Sequence, residues 1–194
     1  YFESGHSIKA MLRALFLSDS FKSPSAWNAR VKSPIELVVG TVRLAGGYDS
    51  PTSDVYSHIA ASGYMGQDIY APPSVEGWMG GTDWISTGSM VMRVNFAGEI
   101  VGNLENNGVQ EMVSTIRSAA GNSPTAGSLV NASLASLGSL QVADDTLSGL
   151  RDYVNNVIPS PSPNEKHDDT SNISDEVIAS LLQLIVATRE YQFV

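Results

Sequence analysis

From its amino end the chain alternates apolar-striped stretches with short polar breaks. Ile8, Met11, Leu12, Leu15 and Phe16 recur at the i, i+3, i+4, i+7, i+8 spacing of one helical face. That spacing predicts a first helix ending near Ser18, with the face buried and Phe21 tucked back. Lys9 and Arg13 lie off the stripe, and residues 22–32, polar and carrying Trp27, predict a loop. Ser33-Pro34-Ile35-Glu36 then places Ser at an N-cap, Pro at N1 and Glu at N3, a capping box with the favoured proline. Ile35, Val38, Val39 and Val42 form the apolar stripe of this second helix, and Gly46-Gly47 ends it. Four β-branched residues give only modest helix propensity, so tertiary burial must hold it. A third helix is predicted over about 53–64 with Val55, Tyr56, Ile59 and Ala60 inward.

The pattern breaks at Gly66–Ser86, GQDIYAPPSVEGWMGGTDWIS. A Pro-Pro pair and Gly66, Gly77, Gly80 and Gly81 exclude a helix, while two of the three tryptophans argue against a floppy linker. An ordered loop pinned by its own rings is expected, with Pro72-Pro73 fixing an extended approach to the turn. Beyond it a helix starting near Thr82 or Thr87 carries Met90, Val91, Val94 and Ile100. Weaker amphipathic stretches follow over 108–119, 125–137 and 143–157. Residues 158–172, IPSPSPNEKHDDTSN, are linker-like in composition. Ser174 is placed as the cap of a last helix whose Val177, Ile178, Leu181, Leu182, Ile185 and Val186 make a face broad enough to need partners on two sides. LRALFLSDSF and LQLIVATREY share an ending of Ser/Thr, two residues and an aromatic, which points to a common helix-ending device. The expected fold is all-α: an irregular multi-helix bundle with a long Gly/Pro/Trp-rich loop. It divides into a helical domain over 1–158, a Pro/Ser/acidic linker over 159–172, and a C-terminal helix over 173–194 packing back on the domain.

Composition narrows the class. The 194 residues suffice for one domain with a sizeable core, or two small ones. Charged residues make up only 16%, below the usual quarter, with Ser, Gly, Asn and Thr in their place, as in many exported bacterial proteins. Net charge is −9. Residues 1–100 hold seven Lys/Arg against nine Asp/Glu, net −2, and residues 101–194 four against eleven, net −7. So acidic a surface repels phosphate backbones and anionic lipid heads, which disfavours nucleic acid and membrane surfaces as partners. The absence of cysteine excludes disulfides, thiolate metal sites and cysteine nucleophiles. No apolar run approaches the roughly 18–20 residues that span a bilayer, so membrane insertion is not expected.

Four blocks carry a family resemblance. IKAMLRALFLSDSF, KSPIELVVGTVRLAG, MGQDIYAPPSVEGWMGGTDWIS with MRVNFA after it, and LLQLIVATREYQF resemble, in order and spacing, the bacterial "domain of unknown function 1800" family. The resemblance covers about the whole chain, and its middle two blocks are the most specific. Members are typically exported and longer, so the resemblance implies the C-terminal part of such a protein, with its N-terminal helical half missing. The family has no established activity to transfer.

Within those blocks the polar positions are Lys32, Glu36, Arg43, Gln67, Trp78, Trp84 and Arg93. Glu36 and Arg43 stand two turns apart on one helix face. They are read either as a polar site under the 66–86 loop or as half a capping box and a structural partner for loop carbonyls. Trp78 and Trp84, helped by Tyr64 and Tyr70, are read either as an aromatic platform for a polysaccharide or peptide or as packing between helices. His6, His58 and His167 stand alone, without ligand spacing, so no metal site is expected. Asp168-Asp169-Thr170-Ser171-Asn172 lacks the alternation and glycine of an EF-hand. Asp144-Asp145 and Asp175-Glu176 fall at helix starts, where carboxylates suit the helix dipole. No nucleophile elbow, Walker A loop or dinucleotide fingerprint occurs, and no cofactor is implied.

These observations favour a non-catalytic module of an exported or cell-surface protein with an assembly or binding role. Its partner is expected to be the missing N-terminal portion or a second copy. One alternative is a hydrolase-like enzyme acting on an envelope or extracellular polymer, with Glu36, Arg43 and Arg93 lining a cleft beside the loop. Another is a subunit of a surface or filamentous assembly.

Overall fold

A computed structural model describes residues 1–46, 53–157 and 173–194. Among these the chain is all-α, as the periodicity predicts. It forms nine α-helices, three 3₁₀ turns and no strand beyond one antiparallel bridge between Val31 and Phe193. The helices are α1 (Ile8–Leu17), α2 (Asp19–Lys22), α3 (Pro34–Ala45), α4 (Asp54–Tyr64), α5 (Thr87–Gly102), α6 (Asn107–Ala120), α7 (Ala126–Ser136), α8 (Asp144–Val157) and α9 (Asp175–Val186). The proposed linker over 159–172 lies outside the described residues.

The bundle is built around α9. Its broad apolar face buries Ile178, Ala179, Leu181, Leu182, Ile185 and Val186 among α5, α6, α7 and α8. Each large side chain so buried contributes about 1.5–3 kcal/mol over exposure. Ser174 stands at the N-cap as expected, but its side chain receives no helix N–H. Against α9 lies α5, whose buried positions Ser89, Arg93, Ala97 and Val101 are spaced by four. Small residues bring the two helices close: a Cβ on Gly102 would lie 2.0 Å from Gln183 Nε2, which donates to Gly98 O at 3.0 Å. The start of α6 meets the end of α3 still more tightly, since a Cβ on Gly108 would lie 1.8 Å from the Ala45 carbonyl oxygen.

The ends of the repeated sequence device match in the structure. Ser18 Oγ donates to Leu15 O at 2.8 Å and Thr188 Oγ1 to Ile185 O at 2.7 Å, and each precedes a short helical turn.

Three expectations about buried faces are corrected. α1 runs where predicted, but none of its residues is buried, and its main neighbour is α2. Its amphipathic stripe is real; the described residues do not cover it. On α4, Tyr56 is 79% exposed and Ile59 is also exposed, whereas Ser62 is the buried residue. On α3 the buried line is Pro34, Leu37, Val38, Thr41 and Ala45, and Val39 is exposed. Among the described elements the valine-rich side of α3 meets α4, which buries Val38 and leaves Val39 exposed. On α5, Val91 is exposed, since the small-residue edge of that helix faces α9.

Candidate functional site

The first feature is the amino end of α3, where every early N–H finds an acceptor. Ser33 Oγ accepts from Glu36 N at 3.3 Å, and Glu36 Oε2 accepts from Ser33 N at 2.8 Å, completing the expected capping box. Pro34 has no N–H to satisfy. Ile35 N donates to Gln67 Oε1 at 3.0 Å, and Leu37 N to Ser33 O at 3.0 Å. The loop is thereby joined to α3 through Gln67, a cap supplied from 32 residues away.

Glu36 is fully engaged. Arg30 grips its carboxylate with both terminal guanidinium nitrogens, Nη1 donating to Oε2 at 2.7 Å and Nη2 to Oε1 at 2.6 Å. The Arg30 hydrogen bond, together with donors from Ser33, holds its pKa down at about 2.

Behind this corner sits Arg93, fully buried. Its Nε donates to Gln192 Oε1 at 2.8 Å and its Nη2 to Lys32 O at 2.7 Å, while Nη1 has no hydrogen-bond partner among the described residues. Burial pushes the guanidinium pKa down. Lys32 donates from Nζ to Tyr191 O at 2.7 Å and lies 4.1 Å over the Tyr191 ring. Burial, then the charge of Arg93, lowers its pKa to about 8. Tyr191 is buried and shares a 2.9 Å hydrogen bond with Thr41 on α3. Backbone bonds add to this: Lys32 N donates to Gln192 O at 2.8 Å and Val194 N to Arg30 O at 2.8 Å. Together these groups clamp the C-terminal segment, the strand-like approach to α3, and α5 into one unit.

Thus Lys32, Glu36, Gln67 and Arg93 do lie around one junction, each occupied by internal partners. Arg43 is elsewhere, at the rim of an apolar groove of about 200 Å³ between α3 and α4. Glu36, Arg43 and Arg93 line no common cleft among those described. Thr41, Tyr191 and Gln192 were not singled out from sequence. The one signal for Tyr191 and Gln192 was their place in the last family-like block.

The second feature is the loop 66–86. All described peptide bonds are trans. Trp84, in the 3₁₀ turn Gly81–Trp84, is buried, and its ring lies against Gly66, whose φ of 101° suits glycine. Ser89 Oγ donates to Trp84 O at 2.7 Å, so the start of α5 seats the ring. Trp78 is half buried and its indole N–H donates to Asp68 O at 3.2 Å. Tyr70, with positive φ, is 95% exposed, and Pro72 and Pro73 are exposed. One cleft of about 620 Å³ opens here, lined by Tyr64, Pro73, Met79, Asp83, Trp84 and Met92 among others. Trp78 and Tyr70 do not line it, so the two tryptophans form no shared platform in it.

No group of three or more His, Asp or Glu suited to a metal ion occurs among the described residues, and no described helix is long and apolar enough to cross a membrane.

A family model described as "Protein of unknown function (DUF1800)" matches residues 1–193. No curated protein and no solved structure matches the chain.

Proposed function

We propose, from the premise that the chain belongs to the DUF1800 family, that it is a non-catalytic helical module of an exported or cell-surface protein, completing a larger helical body. The observation that carries this is α1: a ten-residue helix with a coherent apolar stripe that the described residues leave without a buried position. Soluble monomers rarely expose contiguous apolar patches above a few hundred Å². A partner surface for α1 is therefore part of the working protein, supplied by a further portion of the same polypeptide or by another copy.

Two further features support the assembly role. The polar residues at the α3–α5 corner are bound to one another, which suits a clamp more than a reacting centre. The low charge content, with Ser, Gly, Asn and Thr in its place, fits an extracytoplasmic setting. The hydrolase alternative needs Glu36, Arg43 and Arg93 together beside the loop, and Glu36 is held by Arg30 instead.

Size-exclusion chromatography with light scattering, followed by thermal unfolding, tests the proposal. The chain by itself is expected to be oligomeric, or monomeric and marginally stable. A monomer unfolding cooperatively above about 60 °C, near the top of the mesophile range, overturns it.

A further inference from the structure

We infer that the cleft beside the 66–86 loop binds a small organic cation, an ammonium group carried on an apolar ring or alkyl body. This goes beyond the assembly reading, and its test reads ligand binding rather than self-association.

Charge fixes the sign of the ligand. Asp83 is the one charged residue among those lining the cleft. Its carboxylate makes no hydrogen bond or ion pair among the described residues, whereas Glu36 and Asp175 are each held by an arginine. Over Gly66–Ser86 the loop carries Asp68, Glu76 and Asp83 with no lysine or arginine, a charge of −3. The amino end of α5 works the other way. It opens on the cleft through Ser86, Gly88 and Ser89, and helix amino ends favour anions. That end amounts to about half a positive charge. Its capping box is already closed, Ser86 Oγ accepting from Ser89 N at 3.2 Å and Ser89 Oγ from Ser86 N at 2.8 Å. A whole, unpaired carboxylate outweighs it.

The walls fix the body of the ligand. Trp84 is the buried floor, and Tyr64, Met79 and Met92 are exposed positions in the lining. Aromatic rings attract ammonium groups, and thioethers adapt to irregular alkyl surfaces. The floor is set without a ligand: Ser89 Oγ donates to Trp84 O at 2.7 Å, and the ring lies against Gly66.

Size fixes the class. At about 620 Å³ the cleft falls in the range of small-molecule sites. Trp84, Met65 and Ser89 are buried, so the lining open to contact is far below the roughly 800 Å² per partner of a protein interface. The other described cavities differ in charge. The groove between α3 and α4 has Arg43, one of about 250 Å³ holds both Arg189 and Glu190, and one of about 370 Å³ holds both His58 and Glu99.

The test titrates the full chain by calorimetry and ligand-observed NMR with three probes that share one ring and differ in charge: benzyltrimethylammonium, benzyl alcohol and phenylacetate. The cation is expected to bind about tenfold or more tightly than the other two, with the preference falling as salt rises. Asp83→Asn is expected to remove that preference, as for loss of one partner of a charge pair. Glu76→Gln, which changes the loop's charge outside the cleft, is expected to keep it, with circular dichroism confirming the fold of both variants. No saturable binding of the cation at about 10 mM overturns the site, as does equal or tighter binding of phenylacetate. A preference untouched by Asp83→Asn, or lost equally in Glu76→Gln, also overturns it. Nα-acetyllysine methylamide binding about tenfold tighter than benzyltrimethylammonium would make the occupant a polypeptide side chain and overturn the small-molecule assignment. None of these outcomes bears on the oligomeric state, so the assembly reading stands or falls separately.

Discussion

Arg93 offers the sharpest check on what holds the fold together. Its guanidinium is fully buried, with two donated hydrogen bonds and no carboxylate within ion-pair reach among the described residues. Two opposing effects decide the outcome of replacing it. Hydrogen bonds from a charged donor contribute about 1.5–3 kcal/mol each, so losing both costs about 3–6 kcal/mol gross. Against this, a buried cation without a counter-charge has a desolvation penalty of several kcal/mol, which its removal relieves. The tie-break comes from what is left behind. Gln192, itself buried, loses the donor to its Oε1, and Arg93→Ala also leaves a cavity where the side-chain stem was.

Arg93→Ala is therefore expected to destabilise the chain by about 2–4 kcal/mol, and Arg93→Met, which keeps the stem volume, by about 1–2 kcal/mol. At about 2–4 °C per kcal/mol for a chain of this size, the alanine variant melts roughly 5–15 °C lower. Denaturant titration of both variants, with Gln192→Leu and the Arg93→Met/Gln192→Leu double variant, closes a double-mutant cycle. A coupling of about 1 kcal/mol or more is expected for partners in direct contact. Arg93→Met more stable than the parent, with no coupling, would refute the clamp: the cation would then be a net liability tolerated by the fold.

Two further predictions bear on close packing and on pH. Gly108→Ala places a methyl against the Ala45 carbonyl and Gly46 Cα, both backbone, so it is expected to cost about 3 kcal/mol or more despite the better helix propensity of alanine. Gly102→Ala meets only the mobile end of Gln183 and should cost about 1 kcal/mol; equal losses in urea titration would contradict the packing described. Lys32, held at about 8 against its ordinary 10.5, is less protonated in the folded than in the unfolded chain across that window. Its contribution is fully present above 10.5 and lost as pH falls through 8, so stability rises with pH. Discounted for partial exposure, the gain is about 1–2 kcal/mol. Urea midpoints at pH 7.5 and 9.5 measure it, below the range where Tyr191, its phenol pKa raised by burial, begins to oppose. Lys32→Met should flatten the rise, and a slope unchanged in that variant would reassign the effect.

Local chemistry was legible where it is written in neighbouring residues. Ser33, Pro34 and Glu36 announce the α3 start because a capping box is complete within four positions. Gly66, Pro72, Pro73 and Gly77 announce the loop because no helix tolerates them together. Faces were less legible, since periodicity marks an apolar side without saying what covers it. On α1 the stripe was correct and its cover is absent from the described residues. On α5 the sequence displays the bulky Met90, Val91, Val94 and Ile100, yet close approach to α9 selects small side chains, and Ser89, Ala97 and Val101 share the buried line with an arginine. The partners of Arg93 lie 61 and 99 residues away, at Lys32 and Gln192, and no local pattern encodes a pairing of that range.

That line on α5 also joins the two features around which the chain is organised. Ser89 holds the carbonyl of Trp84, the floor of the cleft, and Arg93, one turn further on, holds the carbonyl of Lys32 and the side chain of Gln192. The floor of the cleft, the segment entering α3 and the C-terminal segment are therefore fixed by successive turns of one helix.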